Sequence, residues 1–80
     1  MSTNQALEQK WTAEAIKALR QRYGPKESRD AFAERINSSV AAVRFWEIGR
    51  GVPNGPTLRL FEYMEQELDM FARMPQLAAK

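Results

Sequence analysis

Apolar residues recur along this chain at helical spacings, in four separate stretches. Ile16, Leu19 and Tyr23 stand three and four residues apart, which places them on one face of a helix. Thr12 precedes them as an N-cap, and Trp11 and Ile16 hold the two positions of a hydrophobic staple around it. Gly24 and Pro25 end that helix. Ser28 caps the next, with Asp30 in its first turn and Phe32, Ala33 and Ile36 on its apolar face. Asn37, which tolerates positive φ, closes it. Ser39 caps a third helix, in which Val43 and Trp46 face inward and Gly49 makes the stop.

A turn over Gly51 to Gly55 leads to Pro56, expected at the first position of the last and longest helix. This helix carries two apolar stripes. Leu58, Phe61, Met64 or Glu65, Leu68 and Phe71 form one, and Leu60, Tyr63, Met70 and Met74 the other. One small core needs only one of them. The helix is expected to stop near Met74, before Pro75. No segment alternates in the two-residue period of a strand. The pattern predicts an all-α domain of four to five short helices over residues 11–74, with 56–74 as the longer C-terminal helix. Residues 1–10 lack periodicity and are expected to be a flexible N-terminal arm, and 75–80 a frayed tail.

Composition narrows the chemistry. At 80 residues the chain holds one domain with a small core, of the kind that gains from tight helix packing or a partner subunit. It has no Cys and no His, so disulfides, thiolate sites, the commonest metal ligand and the commonest general base are all missing. Glu62, Glu65, Glu67 and Asp69 cluster, but on the polar side of an amphipathic helix, and Gly49-Arg50-Gly51 is too short for a phosphate-binding loop. No enzyme constellation and no cofactor are expected. No apolar run approaches the about 18 residues of a membrane span, so a cytoplasmic protein is expected. Net charge is +2, with the basic excess confined to residues 1–60 and an acidic excess after them. A mild basic bias suits a polyanionic partner.

The two helices around Asn37 then carry the functional reading. A turn this short forces a steep crossing and projects the second helix outward, where its N-terminal half can enter a major groove about 12 Å wide. Ala33 is small where the helices approach, and Phe32, Ile36, Val43 and Trp46 lock the pair. The run from Ser28 through Ala33, Asn37, Ser39 and Val43 to Trp46-Glu47, followed by Gly49, Arg50 and Pro53, resembles the Cro and lambda-repressor-like (XRE) helix-turn-helix family. The stretch Pro53-Asn54-Gly55-Pro56 with Leu58 and Leu60 is similar to its small-antitoxin branch. The resemblance covers about Thr12 to Met64. The chain departs from the family's habit at Arg29, where Gln is usual, at Asn37 in place of the turn Gly, and at Phe45 in place of a polar residue. Its Pro25-Lys26-Glu27 loop is also about two residues longer.

What the resemblance implies is a set of roles. Val40, Ala41, Arg44 and Phe45 face DNA bases: Arg44 can fork onto guanine, while the apolar three meet thymine methyls and shape. Arg29, Ser39, Arg50 and Asn54 are expected to hold phosphates. Arg20, paired with Glu47, joins Phe32, Ala33, Ile36, Val43 and Trp46 as scaffold. Arg35, Lys17 and Arg22 are expected to be solvated. The surplus apolar surface of the last helix, at Phe61, Met64, Leu68 and Phe71, is expected to make a homodimer. The leading expectation is therefore a homodimeric, autoregulatory repressor on an inverted repeat of double-stranded DNA. The rival is an antitoxin or interaction module whose last helix binds a toxin or other protein.

Overall fold

The computed structural model describes residues 3–24 and 26–73. Met74 and the expected tail 75–80 lie outside the described residues, as does Pro25. Among the described residues five helices follow one another: α1 (Thr3–Lys10), α2 (Ala13–Arg22), α3 (Arg29–Arg35), α4 (Val40–Glu47) and α5 (Gly55–Arg73). The domain is all-α, as the periodicity predicts.

The starts of α2 to α5 and the ends of α3 and α4 have local chemical causes. The hydroxyls of Thr12, Ser28 and Ser39 accept hydrogen bonds from the backbone N–H groups of Ala15, Ala31 and Ala42, at 3.2, 3.0 and 3.1 Å. These bonds satisfy donors that the first turn leaves free. α3 and α4 end in the same way. Ser38 N–H donates to Ala33 carbonyl (2.8 Å) and Asn37 N–H to Glu34 (3.2 Å), while Arg50 donates to Phe45 (2.8 Å) and Gly49 to Trp46 (3.2 Å). This is the Schellman closure, and it needs a residue at positive φ. Asn37 (φ 56°) and Gly49 (φ 77°) supply it. Asn54, rather than Gly55, caps α5: its Oδ1 accepts from Thr57 N–H at 3.0 Å. Pro56 is thus the second helical position, one later than expected.

The core forms around one ring. Phe61 of α5 is completely buried, and its centroid lies 5.4 Å from Trp11, 6.1 Å from Phe32 and 6.0 Å from Trp46. It therefore touches the α1–α2 junction, α3 and α4 together. Ile16, Leu19, Ala33, Ile36, Val43, Leu58 and Met64 complete the cluster. Trp11 and Ile16 are both buried, as the staple requires.

One element departs from the sequence reading. Residues expected to form a flexible arm include α1, which lies against α5. Its own amphipathicity is weak, so isolated propensity does not predict it. Tertiary contacts hold it instead. Leu7 packs against the core. Lys10 Nζ bridges Glu62 (2.7 Å) and Glu65 (2.8 Å) of α5, and Trp11 Nε1–H donates to Glu62 at 2.8 Å. Among the described residues, no helix is long and apolar enough to cross a membrane.

Candidate nucleic-acid interface

The candidate site is the outer side of α4, and its rigidity comes from the inner side. Val43 and Trp46 are buried, which fixes the rotation of the helix about its own axis. Val40, Ala41, Arg44 and Phe45 then all fall on the exposed side, together as the sequence predicts. A second constraint sits at the C-terminal end. The Glu47 side chain is only 1% exposed and accepts three hydrogen bonds: from Arg20 Nε at 2.7 Å, Arg20 Nη2 at 3.0 Å and Arg29 Nε at 3.0 Å. Arg20 is buried, and its Nη1 also donates to Glu27 carbonyl at 2.6 Å. The hydrogen bonding of Arg20 to Glu47 outweighs desolvation and raises the Arg20 pKa further. One carboxylate thus ties α4 to α2 and α3, with full charge pairing in the interior. The scaffold residues Arg20, Phe32, Ala33, Ile36, Val43, Trp46 and Glu47 all take the expected places.

Beside this lock lies a shallow groove of about 400 Å³, lined by Arg20, Ser28, Arg29, Asp30, Val40 and Arg44. It joins the start of α3 to the start of α4. Arg44 and Arg50 are exposed and make no salt bridge among the described residues. Ser39 Oγ accepts one bond in the cap, and its O–H remains able to donate.

Four expectations are corrected. Arg29 is not a free cation at a helix start: its Nε donates to the buried Glu47, which leaves its outer nitrogens for other partners. Asn54 caps α5 with Oδ1 and keeps only its amide donors for other use. Arg35 and Arg22 are not merely solvated. Arg35 stacks 4.1 Å from the Tyr23 ring and pairs with Glu27, and Arg22 pairs with Asp69 at 3.0 Å. The dimerisation set fails most clearly. Phe61 is 0% and Met64 6% exposed, and Leu68 packs against the same core. Only Phe71 of those four is exposed. The stripe assigned to a partner is the one that fills the protein's own interior.

The structure also adds residues. Ile48 and Val52 are exposed as Phe45 is, so the outer side of α4 and the loop after it are more apolar than expected. Ile48 follows Phe45 by three and Arg44 by four, a helical spacing that carried the signal. Among the described residues there is no cluster of carboxylates able to hold a metal ion. Compared with known proteins, the chain matches no family model, no curated protein and no solved structure.

Proposed function

We propose that the protein is a sequence-specific DNA-binding repressor of the Cro and lambda-repressor-like helix-turn-helix kind. It acts in the cytoplasm as a homodimer on an inverted repeat upstream of its own gene, with no catalysis and no cofactor. The observation that carries this reading is the outer face of α4. Val40, Ala41, Arg44 and Phe45 are uncommitted to the core, yet the helix beneath them is held by Val43, Trp46 and the Glu47 pairings. A reading helix needs that combination of a free face and a fixed base. Arg44 forks onto a guanine, and Val40, Ala41 and Phe45 meet thymine methyl groups. Arg50, the Ser39 hydroxyl and the outer nitrogens of Arg29 hold phosphates.

Selection of preferred sites from a random duplex pool tests this, followed by binding at physiological salt. A palindromic consensus is expected. Arg44→Ala should relax one base pair at a cost of about 1–3 kcal/mol for that base. Arg50→Ala should weaken all sequences alike and lower the salt slope by about one. Replacing thymine by uracil in the consensus removes the methyl groups and should weaken wild type more than Phe45→Ala. Equal affinity for consensus and random duplex would overturn the repressor reading.

A second reading has its own support. Tyr63, Met70 and Phe71 of α5 are exposed, so this helix offers apolar surface to another protein, as an antitoxin's last helix does to its toxin.

A further inference from the structure

The groove between the starts of α3 and α4 holds one side chain that phosphate binding does not explain. Asp30 lines it together with Arg29, Val40 and Arg44. It is exposed and makes no salt bridge among the described residues, although these two arginines share its groove. A first-turn carboxylate suits the helix dipole, which accounts for its place in α3 but not for its presence in this groove. Against a phosphate it is repulsive. Against a base edge it has a use, because the N4 amino group of cytosine donates to a carboxylate. Adenine's amino group lies beside the acceptor N7, a pair that suits an amide instead.

The neighbours of Asp30 complete a pattern. Val40 and Arg44 are four residues apart, so they share one face of α4, and both line the groove. In the major groove a G·C pair presents guanine N7 and O6, then the cytosine amino group, then cytosine C5. A guanidinium takes the first two and a carboxylate the third. An apolar side chain gains a contact at C5 only when a methyl group is there. An A·T pair has that methyl group, but it puts an acceptor where the carboxylate needs a donor and a donor where the guanidinium needs an acceptor. We infer, on the basis of the proposed base reading by α4, that this groove takes guanine paired with 5-methylcytosine. The protein then distinguishes methylated from unmodified DNA. Arg44 forks onto the guanine, Asp30 accepts from the cytosine amino group, and Val40 packs on the 5-methyl group in place of a thymine's. Ala41 and Phe45 keep the thymines, and Arg29 keeps its phosphate.

Site selection with wild type and with Arg44→Ala identifies the pair that Arg44 reads. Fluorescence anisotropy at physiological salt then compares three duplexes: the selected site, the same site with 5-methylcytosine in that pair, and the site with 5-methylcytosine at another cytosine. Wild type should bind the first methylated duplex about fourfold more tightly per half-site, the effect of burying one methyl group. The second should bind no more tightly than the unmodified site. Val40→Ala should bring the fourfold ratio close to one. Asp30→Ala should relax the preference for cytosine in this pair and leave the salt slope as it is, because a base and not a phosphate loses its partner. Val40 and Asp30 are both exposed, so neither change disturbs the core. Three results would overturn the inference: equal or weaker binding of the first methylated duplex, a ratio unmoved by Val40→Ala, or tighter binding of Asp30→Ala to every duplex alike. Any of these with a retained consensus leaves the reading by Arg44 standing. Absence of any consensus would overturn base reading by α4 itself, and this inference with it.

Discussion

Two carboxylates organise this molecule, and they do so in opposite surroundings. Glu47 is sealed between α2, α3 and α4, with its side chain 1% exposed and three donors on its oxygens. Glu62 sits at the seam between α1 and α5, 25% exposed, beside a Lys10 that is 45% exposed. Both make short ion pairs, at 2.7 Å. Distance therefore does not separate them; water does. Removing one partner of a buried pair strands the other charge in the interior, whereas an exposed pair is replaced by solvent at little cost. The first site fixes the orientation of α4, and the second clips on a helix that little else retains.

Substitution at Glu47 should break this comparison most violently. Glu47→Ala is expected to cost about 3–5 kcal/mol in urea or thermal unfolding, because Arg20 is left buried without its counter-charge. A loss below about 1 kcal/mol would mean that Arg20 swings out to water, and the lock would lose its meaning. Trp11→Phe probes the seam next. It keeps an aromatic ring against Phe61 but deletes the Nε1–H bond to Glu62, for an expected loss of about 1–2 kcal/mol in the same assay.

Lys10→Ala should have the smallest effect, under about 1 kcal/mol at neutral pH and less in high salt. Acid should reproduce it locally. The hydrogen bond from Lys10, and with less weight that from Trp11, holds the Glu62 carboxyl below its ordinary 4.5 against the pull of desolvation. A folded value below the unfolded one means the contribution is full above about pH 4.5 and fades as pH falls through the folded value. The Trp11 indole proton, followed by NMR exchange, should lose protection over that window before the α4 amides do. Simultaneous loss at both sites would show that the seam and the lock are one cooperative unit.

Much of the fold was legible because its signals are local. Thr12, Ser28 and Ser39 cap helices through bonds to residues three positions on, and Asn37 and Gly49 close them through their own φ. Such features read from a few neighbouring residues. The Arg20–Glu47 pair spans 27 positions and was accessible only through the family resemblance. The errors came where a choice depends on packing. α1 has no period of its own, and its existence rests on contacts with residues more than fifty positions away. On α5 the two apolar stripes are equivalent as patterns, and only the assembled core selects Phe61 and Met64 for the interior and leaves Tyr63 and Met70 outside. The place of Arg29 at a helix start says nothing of Glu47, 18 positions on, whose carboxylate has room for both arginines.

The ring of Phe61 has a consequence for how the chain comes to be folded. Helices α1 to α4 precede it in synthesis, and Trp11 at the α1–α2 junction, Phe32 of α3 and Trp46 of α4 meet that ring only once α5 exists. Until then the emerging chain holds a set of half-helices with greasy sides exposed to the ribosome's surroundings. Folding is therefore expected to be a single late, post-emergence event, and a ribosome stalled before α5 would present a nascent chain that chaperones bind and proteases cut.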